Sequence, residues 1–162
     1  MISDKMQKAL NDQLREEYFS SYLYLSMAAY FHSRNLDGFA NWMMKQSDEE
    51  KGHAMKFYEY INEQQGKVVL GALEKPQTDW ASPLAAFQDA YKHEQKITGL
   101  IHNLTDMAMA EKDHATHIFL HWFVEEQVEE ESNVSKVVEM LKMVNDHPQG
   151  LLMLDRALGE RK

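Results

Sequence analysis

Four stretches of this chain repeat apolar residues at alternating steps of three and four, the spacing of one helix face. Each is interrupted near its middle by a glutamate. The first reads Leu10, Leu14, Glu17, Ser21, Tyr24, Ala28, Phe31; the second Phe39, Met43, Gln46, Glu50, His53, Phe57, Tyr60. The third reads Phe87, Ala90, Glu94, Ile97, Ile101, Leu104, Ala108, and the fourth Thr116, Leu120, Phe123, Gln127, Glu130, Val134, Val137, Leu141, Val144. A single E-x-x-H such as Glu50 and His53 is ordinarily a solvated helix face. Four interruptions at one level of four seams are a different matter. Burying these carboxylates together costs several kcal/mol per ion unless something compensates them. No Lys or Arg stands on any seam, so cations from outside are the remaining solution.

Turn signals separate the seams. Ser3 and Asp4 can cap a first helix that runs to about residue 33, and "SRNLDG" turns into a second that reaches about residue 64, where Gly66 ends it. Ser82 and Pro83 begin a third helix, the "EKDH" turn at 111–114 leads to a fourth ending near 144, and "NDHP" opens a short fifth at Pro148, running to about 158. Short turns make helices one and two antiparallel, and likewise three and four. Between the pairs lies "GKVVLGALEKPQTDWA" (66–81), with neither helical nor strand periodicity. A helix of about 28 residues is roughly 42 Å long. Sixteen extended residues span about 53–58 Å. The segment is therefore long enough to cross the bundle end to end, making helices two and three parallel. A flexible inter-domain linker is the alternative, against which Val68, Val69, Leu70 and Leu73 argue, because they need a surface to pack on. A shift of 77 residues turns Glu17 into Glu94, Glu50 into Gln127 and His53 into Glu130, the mark of an internal duplication. The expectation is one all-α domain over residues 1–162: a four-helix bundle over 4–144 and a C-terminal helix over 148–158.

Composition narrows the chemistry. With 44% hydrophobic residues, seven Gly and three Pro, the chain suits long helices better than a turn-rich β fold. A net charge of −9 argues against a nucleic-acid partner. The absence of cysteine excludes disulfides, zinc ribbons, iron–sulfur clusters and thiol nucleophiles. "MISDKMQKALND" lacks a signal-peptide core, and the uncharged run 18–33 is short for a bilayer, so no membrane partner and a cytoplasmic location are expected. Four carboxylates and one imidazole balance two divalent ions and favour iron or manganese over softer metals; His53 argues mildly against magnesium and calcium.

As a set, "REEYFSSYLYLSMA", "EEKGHAMKF", "KHEQ", "FVEEQVEEE" and the short C-terminal helix resemble the bacterial non-haem ferritins, over the whole chain. A Glu from each of two helices and E-x-x-H from the others is the ferritin-like di-iron pattern. The resemblance implies that Glu17, Glu50 and His53 hold a first iron, and Glu94 and Glu130 a second, with Glu50 bridging. Gln127 and Glu130 depart from the symmetric Glu and His, which implies a weaker second site. They also separate the chain from bacterioferritins, whose haem methionine falls at Gly52; no haem is expected. Rubrerythrins carry a cysteine-bound iron domain that this chain lacks. A third iron site beside the pair would use Glu49, Glu126 and Glu129. At about 100° per residue, Gln127, Glu130, Glu126 and Glu129 sweep roughly 160° outward from the seam, and Glu49 lies about 40° beyond His53. An exposed acidic face is the alternative for Glu126 and Glu129. Tyr24 and Trp122 resemble the family's flanking aromatics, though each also reads as packing.

The function so implied is ferroxidase activity: Fe²⁺ oxidised by O₂ or H₂O₂, then stored as ferric mineral in a homo-oligomer, a 24-subunit shell in this family. Asp113, His114 and His117 are candidates for an entry pore, or else a helix cap and surface histidines. The alternatives are a small di-iron redox enzyme of the peroxidase kind, a metal-free structural bundle, and a DNA-protecting mini-ferritin. The last is opposed by the within-subunit ligand set and the lack of a basic tail.

Overall fold

The same local motif stops three of the helices. In the computed structural model, which describes residues 1–162, α1 spans Asp4–Ser33, α2 Asp37–Glu63, α3 Pro83–Ala110, α4 His114–Val144 and α5 Pro148–Leu158. After α1, α2 and α3 comes a left-handed residue: Asn35, Gln65 and Lys112, at φ of 58°, 59° and 56°. The following N–H then folds back onto the helix, Leu36 to Phe31 O at 3.0 Å, Gly66 to Ile61 O at 2.8 Å and Asp113 to Ala108 O at 2.9 Å. These bonds satisfy carbonyls that a helix end leaves open. Gly66 is therefore not the left-handed residue; Gln65 takes that role. At the other ends, Ser3 and Ser82 accept from the N–H groups of Met6 and Ala85, with Pro83 in the first turn as its fixed φ allows.

The architecture is the expected all-α four-helix bundle with a fifth helix. Ser33 and Ala110 end their helices 77 residues apart, and Asp37 and His114 begin theirs at the same separation. The duplication therefore extends to the turns. The crossover runs along α1 and leaves α2 and α3 parallel. Gln7 accepts from Lys67 N at 2.8 Å, Asn11 bonds Lys67 O and Val69 N, Ser26 donates to Gln77 O at 2.6 Å, and Arg34 lies 3.7 Å from Asp79. Trp80 then inserts its ring beside Tyr30. Of the apolar residues expected to anchor this segment, Val68 packs half-buried against the core, whereas Val69, Leu70 and Leu73 are 55%, 67% and 43% exposed. Polar side chains of α1 hold the crossover by its backbone, because an extended chain has free N–H and C=O groups to offer.

The core is in two parts. One apolar cluster includes Phe31, Phe39, Phe87 and Val134; the other includes Leu10, Phe57, Ile101 and Leu120. Every seam residue named above is buried except Ser21 and Val144, which are half-buried; Ser20 rather than Ser21 lies in the interior. Side chains of α2 and α4 meet across the bundle, yet no Cα of one helix lies within 8 Å of the other.

α5 crosses the start of α2. No side chain near Leu36 caps α2; instead Asp155 of α5 accepts from Phe39 N at 2.9 Å. A methyl group on Gly38 would run into the carbonyl of Asp155. Gly38→Ala should therefore lift α5 and cost about 1–3 kcal/mol, the usual penalty of overpacking. A lower melting temperature together with faster proteolysis after residue 147 would show it; an unchanged melting curve would mean that α5 is not docked here.

Candidate metal centre

The layer between the two apolar clusters is polar. Glu17 from α1, Glu50 and His53 from α2, Glu94 from α3, and Gln127 and Glu130 from α4 are all buried, none more than 4% exposed. Ligand-capable atoms of Glu17, Glu50 and His53 lie within 4.8 Å of one another, and so do those of Glu50, Glu94 and Glu130. Glu50 thus belongs to two clusters that face each other across the bundle. Each of these residues lies near the middle of its helix, so the four helices bring them to one level of the bundle.

Electrostatics make the layer unusual. No Lys or Arg forms an ion pair with Glu17, Glu50, Glu94 or Glu130, and His53 is the only basic partner, 3.1 Å from Glu50 and 3.9 Å from Glu17. Burial drives the Glu17 carboxyl well above its ordinary value, and Glu50 adds to the effect. Burial likewise raises Glu50, with Glu94 and Glu130 reinforcing it. Glu94 is raised by burial although Tyr24 and Gln127 donate to it. Glu130 is pushed up to about 8 by burial and by Glu94. Two of the three buried side-chain polar atoms that lack any hydrogen-bond partner are carboxylate oxygens of this layer, Glu17 Oε2 and Glu130 Oε1. Native interiors leave few such atoms. Together these residues present what divalent cations require: clustered oxygen donors, one imidazole, and unsatisfied charge capacity.

The remaining sequence-predicted residues sit at the edge. Glu126 Oε1 is 3.7 Å from His53 Nε2 and forms a third cluster with His53 and Glu130. Burial raises its carboxyl, with Glu129 and Glu49 contributing in the same direction. Glu49 and Glu129 join no cluster: Glu129 is exposed, and Glu49 turns to Arg161 at 2.8 Å. Gln127 presents its amide N–H₂ to Glu94 Oε2, Glu94 O and Thr98 Oγ1, so in this arrangement it tethers a ligand-capable carboxylate. Tyr24 donates to Glu94, and Trp122 packs its ring edgewise on His53 at 5.3 Å. Gly52 is exposed. Both oxygens of Asp113 are engaged by Thr116, so it caps α4; His114 is exposed and His117 half-buried.

Sequence reading missed the hydrogen-bonding partners of the centre. Gln13 donates to Glu17 at 2.8 Å, and Gln46 donates to Glu130 at 2.6 Å and to Glu50 at 3.2 Å. In both helices a glutamine stands one turn before the glutamate, a legible i, i+4 signal. His93 is buried beside Ser20 Oγ at 2.7 Å, and burial lowers its pKa to about 4.

Comparison with known proteins supplies the family. Residues 7–144 match the ferritin-like domain of the ferritin family. The chain is 43% identical over 161 residues to a bacterial non-heme ferritin of Bacteroides fragilis, covering 99% of this chain and 100% of that one. It is 38% identical to a bacterial non-heme ferritin of Staphylococcus aureus, covering 99% and 97%. A crystal structure described as a novel open pore ferritin from the archaeon Archaeoglobus fulgidus superposes with a TM-score of 0.99 at 50% identity, covering 99% and 98%.

Proposed function

The chain belongs to the ferritin family of iron-storage proteins, and on that footing we propose that it is a ferroxidase. It oxidises Fe²⁺ at the buried centre with O₂ or H₂O₂ and stores the product as ferric oxyhydroxide inside a homo-oligomeric shell of 24 chains. The observation that carries this reading is the four-carboxylate layer, which has no buried Lys or Arg and two carboxylate oxygens without partners.

Iron is the substrate here, and the side chains bind and position it. Glu17, Glu50 and His53 receive one Fe²⁺; Glu94, Glu130 and the shared Glu50 receive the other. As the ions bind, the carboxyl groups give up the protons that burial made them keep. Each Fe²⁺ loses one electron. O₂ takes up the two electrons with two protons and leaves as H₂O₂, or H₂O₂ takes them up and leaves as two waters. The carboxylates favour Fe³⁺ over Fe²⁺ by charge. Gln127 holds Glu94 rather than adding a fourth negative charge, which makes the second position the weaker one. Glu126 lies where iron would leave toward Glu49 and Glu129, the third position.

The exposed Tyr22 and Leu25 of α1, with Val69, Leu70 and Leu73 of the crossover, support assembly, since an apolar surface of this kind favours a partner. The test has two arms. Size-exclusion chromatography should give a species of about 450 kDa, 24 copies of an 18.9-kDa chain. Aerobic Fe²⁺ should raise absorbance near ~300 nm within seconds, as ferric–oxo species form. A species of a few tens of kDa that still oxidises Fe²⁺ would mean a small di-iron redox enzyme; no absorbance change would leave a metal-free bundle.

A further inference from the structure

We propose that Arg161, one residue from the end of the chain, is a positioning residue. It holds Glu49 and Gln46 in place and competes with a cation for Glu49. This rests on the reading of the centre given above and adds to it a residue 112 positions away in sequence.

The guanidinium is fixed on α2 from several sides. Its Nη2 donates to Glu49 Oε2 at 2.8 Å and to Gln46 Oε1 at 3.0 Å, and its Nη1 donates to Trp42 O at 3.1 Å. The group lies over the Trp42 ring, 4.4 Å from its centroid. The backbone is held as well, because Asn41 Nδ2 donates to Arg161 O at 3.1 Å. The preceding helix delivers it there: Gly159 sits against Gly38, and Asp155 caps α2. An arginine pinned by three donor bonds and a ring is not a frayed terminus.

Two consequences follow from donor chemistry. A guanidinium only donates, so Gln46 must turn its carbonyl oxygen to Arg161 and its amide N–H₂ inward. That N–H₂ is what bonds Glu130 at 2.6 Å and Glu50 at 3.2 Å. Arg161 therefore sets, through Gln46, the direction of two carboxylates in the centre. At the same time it engages Glu49, which joins no ligand cluster. Arg161 holds Oε2 of Glu49, so a cation seated by Glu126 must share that carboxylate with the guanidinium or displace it. With the two partners 19% and 46% exposed, the pair modulates affinity and does not lock it. The expected effect is about two- to five-fold, the range that partly exposed ion pairs support.

The experiment is calorimetric titration of the full-length assembled protein with Co²⁺, free of oxygen, at neutral pH. It compares wild type, R161K, R161Q, E49Q and R161Q/E49Q, with the melting temperature of each metal-free variant alongside. The weakest binding event should tighten about two- to five-fold in R161Q. R161K, which keeps the charge but not the fork, should tighten it nearly as much. In the E49Q background, R161Q should leave the weakest binding event unchanged, and any effect on the tighter events reports the Gln46 contact alone. If R161K matches wild type, or the gain survives in R161Q/E49Q, Arg161 acts only as a distant charge and the proposal is overturned. Unchanged affinities in every Arg161 variant overturn it too. Failure of the underlying reading looks different: the wild type itself would bind no Co²⁺ in the buried layer, which overturns both.

Discussion

Replacing Glu50 by alanine should abolish rapid Fe²⁺ oxidation and leave the bundle folded. Glu50 is the residue shared by the two inner clusters, so its loss removes an oxygen donor from both. Residues that merely orient a metal ligand cost about 10–100-fold when removed. Loss of the shared donor should lower the initial rate by more than about a hundredfold. The fold should survive because the layer is the least favourable part of the interior, with carboxyl groups that burial raises and oxygens that lack partners. Glu50 is buried, and burial together with Glu94 and Glu130 raises its carboxyl well above the ordinary value. Glu50→Gln separates charge from volume: it keeps the side chain's size and removes its ionisation. Its metal-free form should melt at or above the wild-type temperature at pH 8, where the carboxylates repel one another most, while its oxidation rate falls with that of Glu50→Ala. Stopped-flow absorbance and thermal melting read the two effects. Wild-type rates in both variants would remove Glu50 from the centre.

The metal-free protein should be more stable at pH 6.5 than at pH 8. The buried glutamates have folded-state pKa values raised above the ordinary 4.5, with Glu130 at about 8. The folded chain thus keeps protons that the unfolded chain releases. Their contribution is fully present below about 4.5 and is lost as pH rises through the folded values. His93 works in the opposite sense. Held down at about 4 by burial and by Lys96, against an ordinary 6.5, it favours the fold above 6.5 and opposes it as pH falls toward 4. The interval from 6.5 to 8 therefore isolates the carboxyl groups. Each proton retained by the fold across those 1.5 units is worth about 2 kcal/mol, or about 4–8 °C in a chain of this size. Saturating Co²⁺ should reverse the trend, because cations bind the ionised carboxylates and stabilise by mass action. A metal-free melting temperature flat over that interval would show that the layer is hydrated and normally ionised.

Much of this was legible in the sequence because helix periodicity is strict. The four seams and their interruptions follow from three- and four-residue steps, and the crossover from its length against that of the bundle. The duplication was visible in the 77-residue shift that pairs Glu17 with Glu94, Glu50 with Gln127 and His53 with Glu130, and the structure extends it to the turns at Asn35 and Lys112. What was not legible depends on tertiary contact. Ser20 and Ser21 are equally good candidates at i+3 and i+4, and only the packing of α3, with His93, selects Ser20. Gly66 drew attention by composition, yet the Schellman geometry put Gln65 in the left-handed position. The crossover's valines and leucines suggested burial, yet only Val68 packs on the core, and Asn11 and Gln7 hold the segment through its backbone. Neither the cap of α2 by Asp155 nor the grip of Arg161 on Glu49 has any local signature, because each spans more than 100 residues of chain.

The central claim is that the carboxylate layer is built for two cations joined through Glu50. Diffraction from crystals soaked anaerobically in Fe²⁺, with anomalous data at the iron edge, tests it most directly. Two strong peaks per chain should appear in the interior, one among Glu17, Glu50 and His53 and one among Glu50, Glu94 and Glu130, with a weaker third beside Glu126. An interior without anomalous density, or iron bound only on the surface, would contradict it.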